Sequence, residues 1–275
     1  MKGDDTLRHI PVIMLSAVEE LDSVVRCIEL GAEDYLPKPF NPVLLRARIG
    51  ACLEKKRLRD QEVLYLQQIE KEKKRADDLL HVILPEPVVA ELKATNMVRP
   101  KRYENVAVMF CDIVGFTAYC DGRPPEEVIP WLQRLVEAYE DLALHYNLEK
   151  VKTIGDSFMA VGGLLRRVDN PVLNCVRCGL DMIAAAQQMP VRIGINFGPV
   201  VAGVVGNRQY LFDLWGDTVN TAARIESQGM AEAVNLSRVA WQQVSEQCVG
   251  ESLGMVPLKG KGELEIVRFK AFVAP

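Results

Sequence analysis

The chain has 275 residues, of which 49% are apolar and 25% charged, with a formal net charge of −4. That length suits one or two compact domains, and so mild a charge excludes nucleic acid or an anionic membrane as an obvious partner. No apolar run approaches the ~18 residues of a membrane span and no secretory signal opens the chain; the seven cysteines lack disulfide-type spacing, so reduced thiols in the cytoplasm are expected.

Residues 1–50 read as strand, helix, strand, helix. An apolar strand covers 11–15, a helix runs from about Leu21 to Leu30 with Gly31 as its C-cap, a short strand follows at 34–36, and Asn41-Pro42 opens the next helix. The alternation predicts a parallel α/β arrangement, though two strands alone do not bury a core. From Pro42 to Leu84 there is no glycine after Gly50 and no proline. Leu66, Ile69, Ala76, Leu80 and Ile83 keep three-four spacing, which predicts a long helix with a short coiled-coil seam, interrupted by Lys73. The basic clusters at 55–57 and 73–75 alternate with acids, as on a solvated helix face. The expected organisation is a fragment over 1–50, a helical linker over 51–95 and a main domain over 96–275.

In the main domain a buried strand is predicted at 106–113. A helix opens at Pro124-Pro125 with the stripe Val128, Trp131, Leu132, Leu135, Tyr139 and Leu142. Residues 151–154 and 157–161 read as a hairpin turning at Gly155-Asp156, and Asn170-Pro171 opens another helix. Within it Cys175-x-x-Cys178 lies on an apolar stripe, which core packing explains better than zinc. Strands are predicted at 191–197 and 200–205, and a helix from Asp217. The mixture predicts an α+β sandwich with helices on one face of the sheet.

Two aspartates carry the chemistry. Asp112 interrupts the end of an apolar strand beside Gly115, and Asp156 sits at a hairpin tip. If the strands are neighbours the two carboxylates converge. Two such groups repel unless a divalent metal lies between them, and two metals bridged by two aspartates serve phosphoryl chemistry.

Four ordered motifs resemble the class III adenylate and guanylate cyclases over about 170 residues. They are Phe110-Cys111-Asp112-Ile113-Val114-Gly115-Phe116-Thr117, the segment 150–159, the segment 210–224 from Tyr210 to Arg224, and Leu258-Lys259-Gly260-Lys261-Gly262. The resemblance implies a class III cyclase sandwich with a ferredoxin-like core, a mixed sheet and helices, preceded by a partial α/β fragment and a long linking helix. It implies that Asp112, Asp156 and the Ile113 carbonyl hold two Mg²⁺ or Mn²⁺ ions and that the Val114, Gly115, Phe116 and Thr117 amides cradle phosphates. Asn220 would orient the ribose, Arg224 would stabilise charge at the α-phosphate, and Lys259 would neutralise leaving pyrophosphate. It also implies a homodimer with shared sites, in which Lys152, Asp213, Asn220 and Arg224 face the partner's metal aspartates.

Base choice has its own argument. Lysine only donates hydrogen bonds and ionised aspartate only accepts them. Lys152 and Asp213 therefore match the N1 acceptor and N6 amine of adenine, whereas guanylate cyclases of this family generally place Glu and Cys there. The expectation is ATP converted to 3′,5′-cyclic AMP and pyrophosphate. A guanylate cyclase and a non-catalytic cyclase-like module are the alternatives.

Residues 1–50 resemble the C-terminal part of a response-regulator receiver domain, with Ser16 as switch hydroxyl and Lys38 as phosphate-reading lysine. The early strands and phosphoacceptor aspartate of such a domain have no counterpart, as in a shortened chain or one with a late start. The resemblance implies two-component signalling, with a sensor kinase upstream of the full-length protein.

Overall fold

The computed structural model describes residues 3–4, 7–17, 21–187, 189–206, 210–258, 260 and 262–273. The chain divides into two compact units, residues 1–82 and 83–275.

In the first unit, strand β1 (Ile13–Ser16) and strand β2 (Asp34–Pro37) pair in parallel, with helix α1 (Leu21–Glu29) as the crossover. Helix α2 (Pro42–Ile83) follows without a break for 42 residues. Asn41 caps it: its Oδ1 accepts from the Val43 N–H at 2.8 Å. Arg48 pairs with Asp34 at 3.0 Å, and Lys55 and Arg59 pair with Glu33 at 3.4 and 2.8 Å, fastening the start of α2 to the loop that enters β2. Among the described residues of this unit only Leu36 and Cys52 are buried hydrophobics, so two strands do not enclose a core here. The seam residues Leu66, Ile69 and Ile83 are exposed in the single chain.

The second unit begins where Pro85 ends the long helix and starts helix α3 (Glu86–Thr95). Its eight-stranded sheet is built from β3 (Lys101–Ile113), β4 (Glu149–Ile154), β5 (Ser157–Gly162), β6 (Val191–Val205), β7 (Leu211–Trp215), β8 (Ala233–Ser237), β9 (Cys248–Leu258) and β10 (Gly262–Phe272). The spatial order is β4-β5-β3-β6-β8-β10-β9, with β7 pairing β6; β6 and β8 run parallel and the other pairs antiparallel. The helices are α4 (Phe116–Asp121), α5 (Pro125–His145), α6 (Pro171–Ala185), α7 (Asp217–Gln228) and α8 (Arg238–Gln242).

Side chains alternate across a strand. Ala107, Met109, Cys111 and Ile113 of β3 join Leu135 and Tyr139 of α5 and Cys175, Val176 and Met182 of α6 in one core. The Asn170 side chain caps α6 by accepting from Leu173 N–H at 3.0 Å. Cys175 and Cys178 are buried in that core, where burial pushes both thiols up, Cys178 to about 12.

Two features differ from the sequence expectation. Helices cover both faces of the sheet, because α7 packs on β6 from the side opposite α6; Gly194 faces the α7 backbone while its neighbour Ile193 faces Gly179 of α6. And β6 is one 15-residue strand where a break at Gly198-Pro199 is expected. A β-bulge absorbs the proline. Glu104 and Asn105 of β3 both stand opposite Pro199, so the missing N–H falls where the ladder is already interrupted.

Candidate active site

The hairpin β4–β5 reverses in two residues, Ile154 pairing with Ser157. The first turn position requires positive φ, which Gly155 supplies at 64°, as in a type II′ turn. The turn delivers Asp156 to the end of β3, where its Oδ2 accepts from the Ile113 N–H at 3.3 Å. Asp112, one residue earlier, faces the α7 side of the sheet. The two aspartates and Ile113 are therefore gathered at one sheet end.

Asp112 is half-buried, and burial together with the Asp156 charge pushes its carboxyl above the usual range, against the opposing pull of Arg192. Arg192 stands directly across from Asp112 on β6 and approaches its Oδ2 at 3.9 Å. Its Nε donates to Glu226 Oε1 of α7 at 2.8 Å. Burial also raises the Glu226 carboxyl, with the Arg192 hydrogen bond opposing and Asp112 adding to the rise. One guanidinium thus serves two carboxylates, and a third, Asp156, lies close by. That negative excess suits a hard divalent cation. Among the described residues no group of three His, Cys, Asp or Glu side chains forms a metal cage. Two carboxylates with open positions are the donor set for Mg²⁺ completed by substrate phosphates.

The phosphate-loop expectation needs one correction. The Val114 N–H is not free, since it donates to the Pro190 carbonyl at 2.8 Å. Gly115, Phe116 and Thr117 lie at the start of α4, where no side chain caps the first-turn amides. The Phe116 ring stacks 6.3 Å from Trp131, and Tyr119 lies 5.3 Å from the same indole, which fastens α4 against α5.

A second group forms elsewhere on the sheet. Lys152 of β4 donates to Asp213 Oδ2 of β7 at 2.5 Å, and Asp213 is buried. Asn220 and Arg224 lie one helical turn apart on α7 and are exposed, whereas Thr221, Ala222, Ile225 and Glu226 of the same helix are buried. Among the described residues no hydrogen bond or ion pair joins Asn220 or Arg224 to Asp112 or Asp156. Lys259 lies outside the described residues.

The domain family decides the matter. Residues 98–271 match the adenylate and guanylate cyclase catalytic domain. The chain belongs to that cyclase family. Residues 2–50 match the response regulator receiver domain. The chain is 32% identical over 295 aligned residues, 96% of its length, to the receptor-type guanylate cyclase Gyc76C of Drosophila melanogaster. It is 35% identical over 204 residues, 70% of this chain, to an adenylate cyclase of Mycobacterium tuberculosis. The chain spans 19% and 46% of these two relatives' lengths. The crystal structure of the guanylate cyclase domain of RhGC from Catenaria anguillulae, in complex with GTP, superposes with a TM-score of 0.61 at 32% identity, covering 63% of this chain and all of that one. The mixed sheet and its helices are those of class III cyclase structures.

Arg192 and Glu226 were not among the residues that sequence reasoning picks out for this cyclase domain. A signal for them exists. Arg192 is a lone charge in the apolar strand 191–197, and a buried charge needs a partner.

Proposed function

We propose that this cyclase domain converts ATP to 3′,5′-cyclic AMP and pyrophosphate, and that it acts as a homodimer with two shared sites. The observation that carries the choice of base is the Lys152–Asp213 pair, 2.5 Å apart at the edge of the core. The relatives include guanylate and adenylate cyclases, so the choice rests on these two side chains. Opening the pair frees an ammonium donor for N1 and a carboxylate acceptor for the N6 amine of adenine; guanine, with O6 as acceptor and N1–H as donor, meets the wrong partner at both. The pair holds the two groups in place until a base replaces each partner for the other.

Divalent ions, Mg²⁺ or Mn²⁺, would sit between Asp112, Asp156 and the Ile113 carbonyl and would supply Lewis acidity at the 3′-oxygen and the phosphates. The Gly115, Phe116 and Thr117 amides would donate to phosphate oxygens. The exposed position of Asn220 and Arg224 supports their serving the partner's metal half, with Asn220 on the ribose and Arg224 on the charge that grows at the α-phosphorus. Lys259, by its motif, neutralises pyrophosphate as it leaves. Positioning and charge stabilisation supply most of such catalysis. The receiver-like segment supports a place downstream of a sensor kinase, in the cytoplasm where ATP is abundant.

The test is the double exchange Lys152→Glu with Asp213→Cys. The ratio of kcat/KM for GTP over ATP is expected to rise, at a large loss of rate. An unchanged ratio refutes the assignment of these residues to the base.

A further inference from the structure

Helix α7 is fastened to β6 at every second strand residue. Arg192 Nε donates to Glu226 Oε1 at 2.8 Å. Gly194 leaves no room for a side chain, since a Cβ there would lie 2.2 Å from the Glu226 nitrogen and 2.7 Å from the Ala222 carbonyl oxygen. Asn196 Nδ2 donates to the Thr218 carbonyl at 3.1 Å, and Thr218 Oγ1 donates to the Pro199 carbonyl at 2.7 Å. These contacts run from Thr218 to Glu226, nearly the length of the helix. The opposite face of the same helix presents Asn220 and Arg224 to solvent.

Glu226 is the contact that joins the two faces. Its partner Arg192 reaches toward Asp112 on the adjacent strand, and Glu226 itself lies two residues beyond Arg224. A charge-assisted bond from a planar guanidinium fixes direction as well as distance, so loss of the Glu226 charge frees both ends of the link.

We propose that Glu226 is a positioning residue for both halves of the cyclase site: through Arg192 it sets the Asp112 side of one active site, and through α7 it sets Asn220 and Arg224, which serve the other. The proposal rests on the shared-site reading above. It makes α7 a strut between the two sites of a dimer, so that a lesion at Glu226 injures both.

The test uses Glu226→Gln, which keeps the shape and removes the charge. Sites are counted by titration with 3′-deoxy-ATP and Mn²⁺, which bind without reacting, and the cyclase rate is expressed per site. The rate per site is expected to fall roughly 10–100-fold, as for groups displaced by up to an ångström, with KM changed less than about threefold. A merely structural lesion would lower the number of sites and spare the rate per site, and that result overturns the proposal. Mixed dimers then locate the damage. Asp112→Ala mixed with Arg224→Ala should regain about a quarter of wild-type activity, because half the dimers are mixed and each has one intact site of two. Glu226→Gln mixed with either of these variants should regain nothing. Rescue by Arg224→Ala alone would confine Glu226 to the metal half, and rescue by Asp112→Ala alone would confine it to α7; either overturns the dual role. If the first mixture stays dead after proven subunit exchange, the shared-site reading falls and takes this proposal with it. Should Glu226→Gln bind no nucleotide, Glu226→Asp, which keeps the charge but shortens its reach, goes through the same crosses with the same expectation.

Discussion

Gly194→Ala tests how closely the second active-site helix is held. The added methyl would lie 2.2 Å from the Glu226 nitrogen and 2.5 Å from its Cα, where ordinary van der Waals contact begins at 3.4 Å. These are backbone atoms, so no side chain can swing aside. Helix α7 would have to retreat by about 1.2 Å, or β6 would have to bend away from β3 and β8. Overpacking of this kind costs about 1–3 kcal/mol. For a unit the size of residues 83–275 that corresponds to a fall in Tm of about 2–12 °C. The retreat also carries Asn220 and Arg224 with it, and a displacement near 1 Å costs up to about 100-fold in rate. The assay is a thermal melt followed by circular dichroism, with kcat measured well below the new Tm. A variant that melts within about 1 °C of wild type and keeps about half its rate refutes the close packing of α7 on Gly194.

Arg224→Ala should lower kcat by about 10²–10³-fold, as removal of a transition-state donor does, while Tm stays within the range of ordinary surface changes because Arg224 is exposed; a parallel loss of Tm and rate would count against a catalytic role. The raised Asp112 carboxyl gives a pH prediction. Protons compete with cations at a carboxylate, so Mn²⁺ affinity should weaken as pH falls through a range above that of an ordinary aspartate, followed by calorimetry with nucleotide present. The sign for the metal-free fold is the reverse of the usual carboxylate: a folded pKa above the unfolded one means that the metal-free protein gains stability as pH falls through that range. Asp112→Asn should abolish both dependences, and a metal affinity that weakens only in the range of an ordinary aspartate would contradict the crowding of Asp112 and Asp156.

Much of the architecture is readable from local chemistry. Asn41-Pro42 and Asn170-Pro171 open α2 and α6 where caps followed by proline predict, and both asparagines accept the expected backbone N–H. The turn at Gly155-Asp156 is readable because only certain residues tolerate its first position. Pro199 misleads, since a proline signals a strand end and only the opposing bulge at Glu104 and Asn105, contributed by another strand, makes a continuous β6 possible. The second helical layer is hidden for a similar reason. The buried face of α7 is Thr218, Thr221, Ala222, Ile225 and Glu226, too short and too polar to read as a core stripe, and it packs tightly because Gly194 and Gly198 lie beneath it. The conflict at Val114 is of the same kind: its amide is taken by Pro190, 76 positions further along, and no local pattern reports that. The residues Lys152 and Asp213 are legible as chemistry, and their meeting across 61 positions is a product of the fold.

The most direct measurement is product identity. Purified protein is incubated with ATP and, separately, with GTP at equal concentration with Mn²⁺ or Mg²⁺, and the cyclic nucleotides are separated by chromatography. The Lys152–Asp213 reading predicts cyclic AMP as the main product and a much slower formation of cyclic GMP. Cyclic GMP formed as fast as cyclic AMP, or faster, would contradict it.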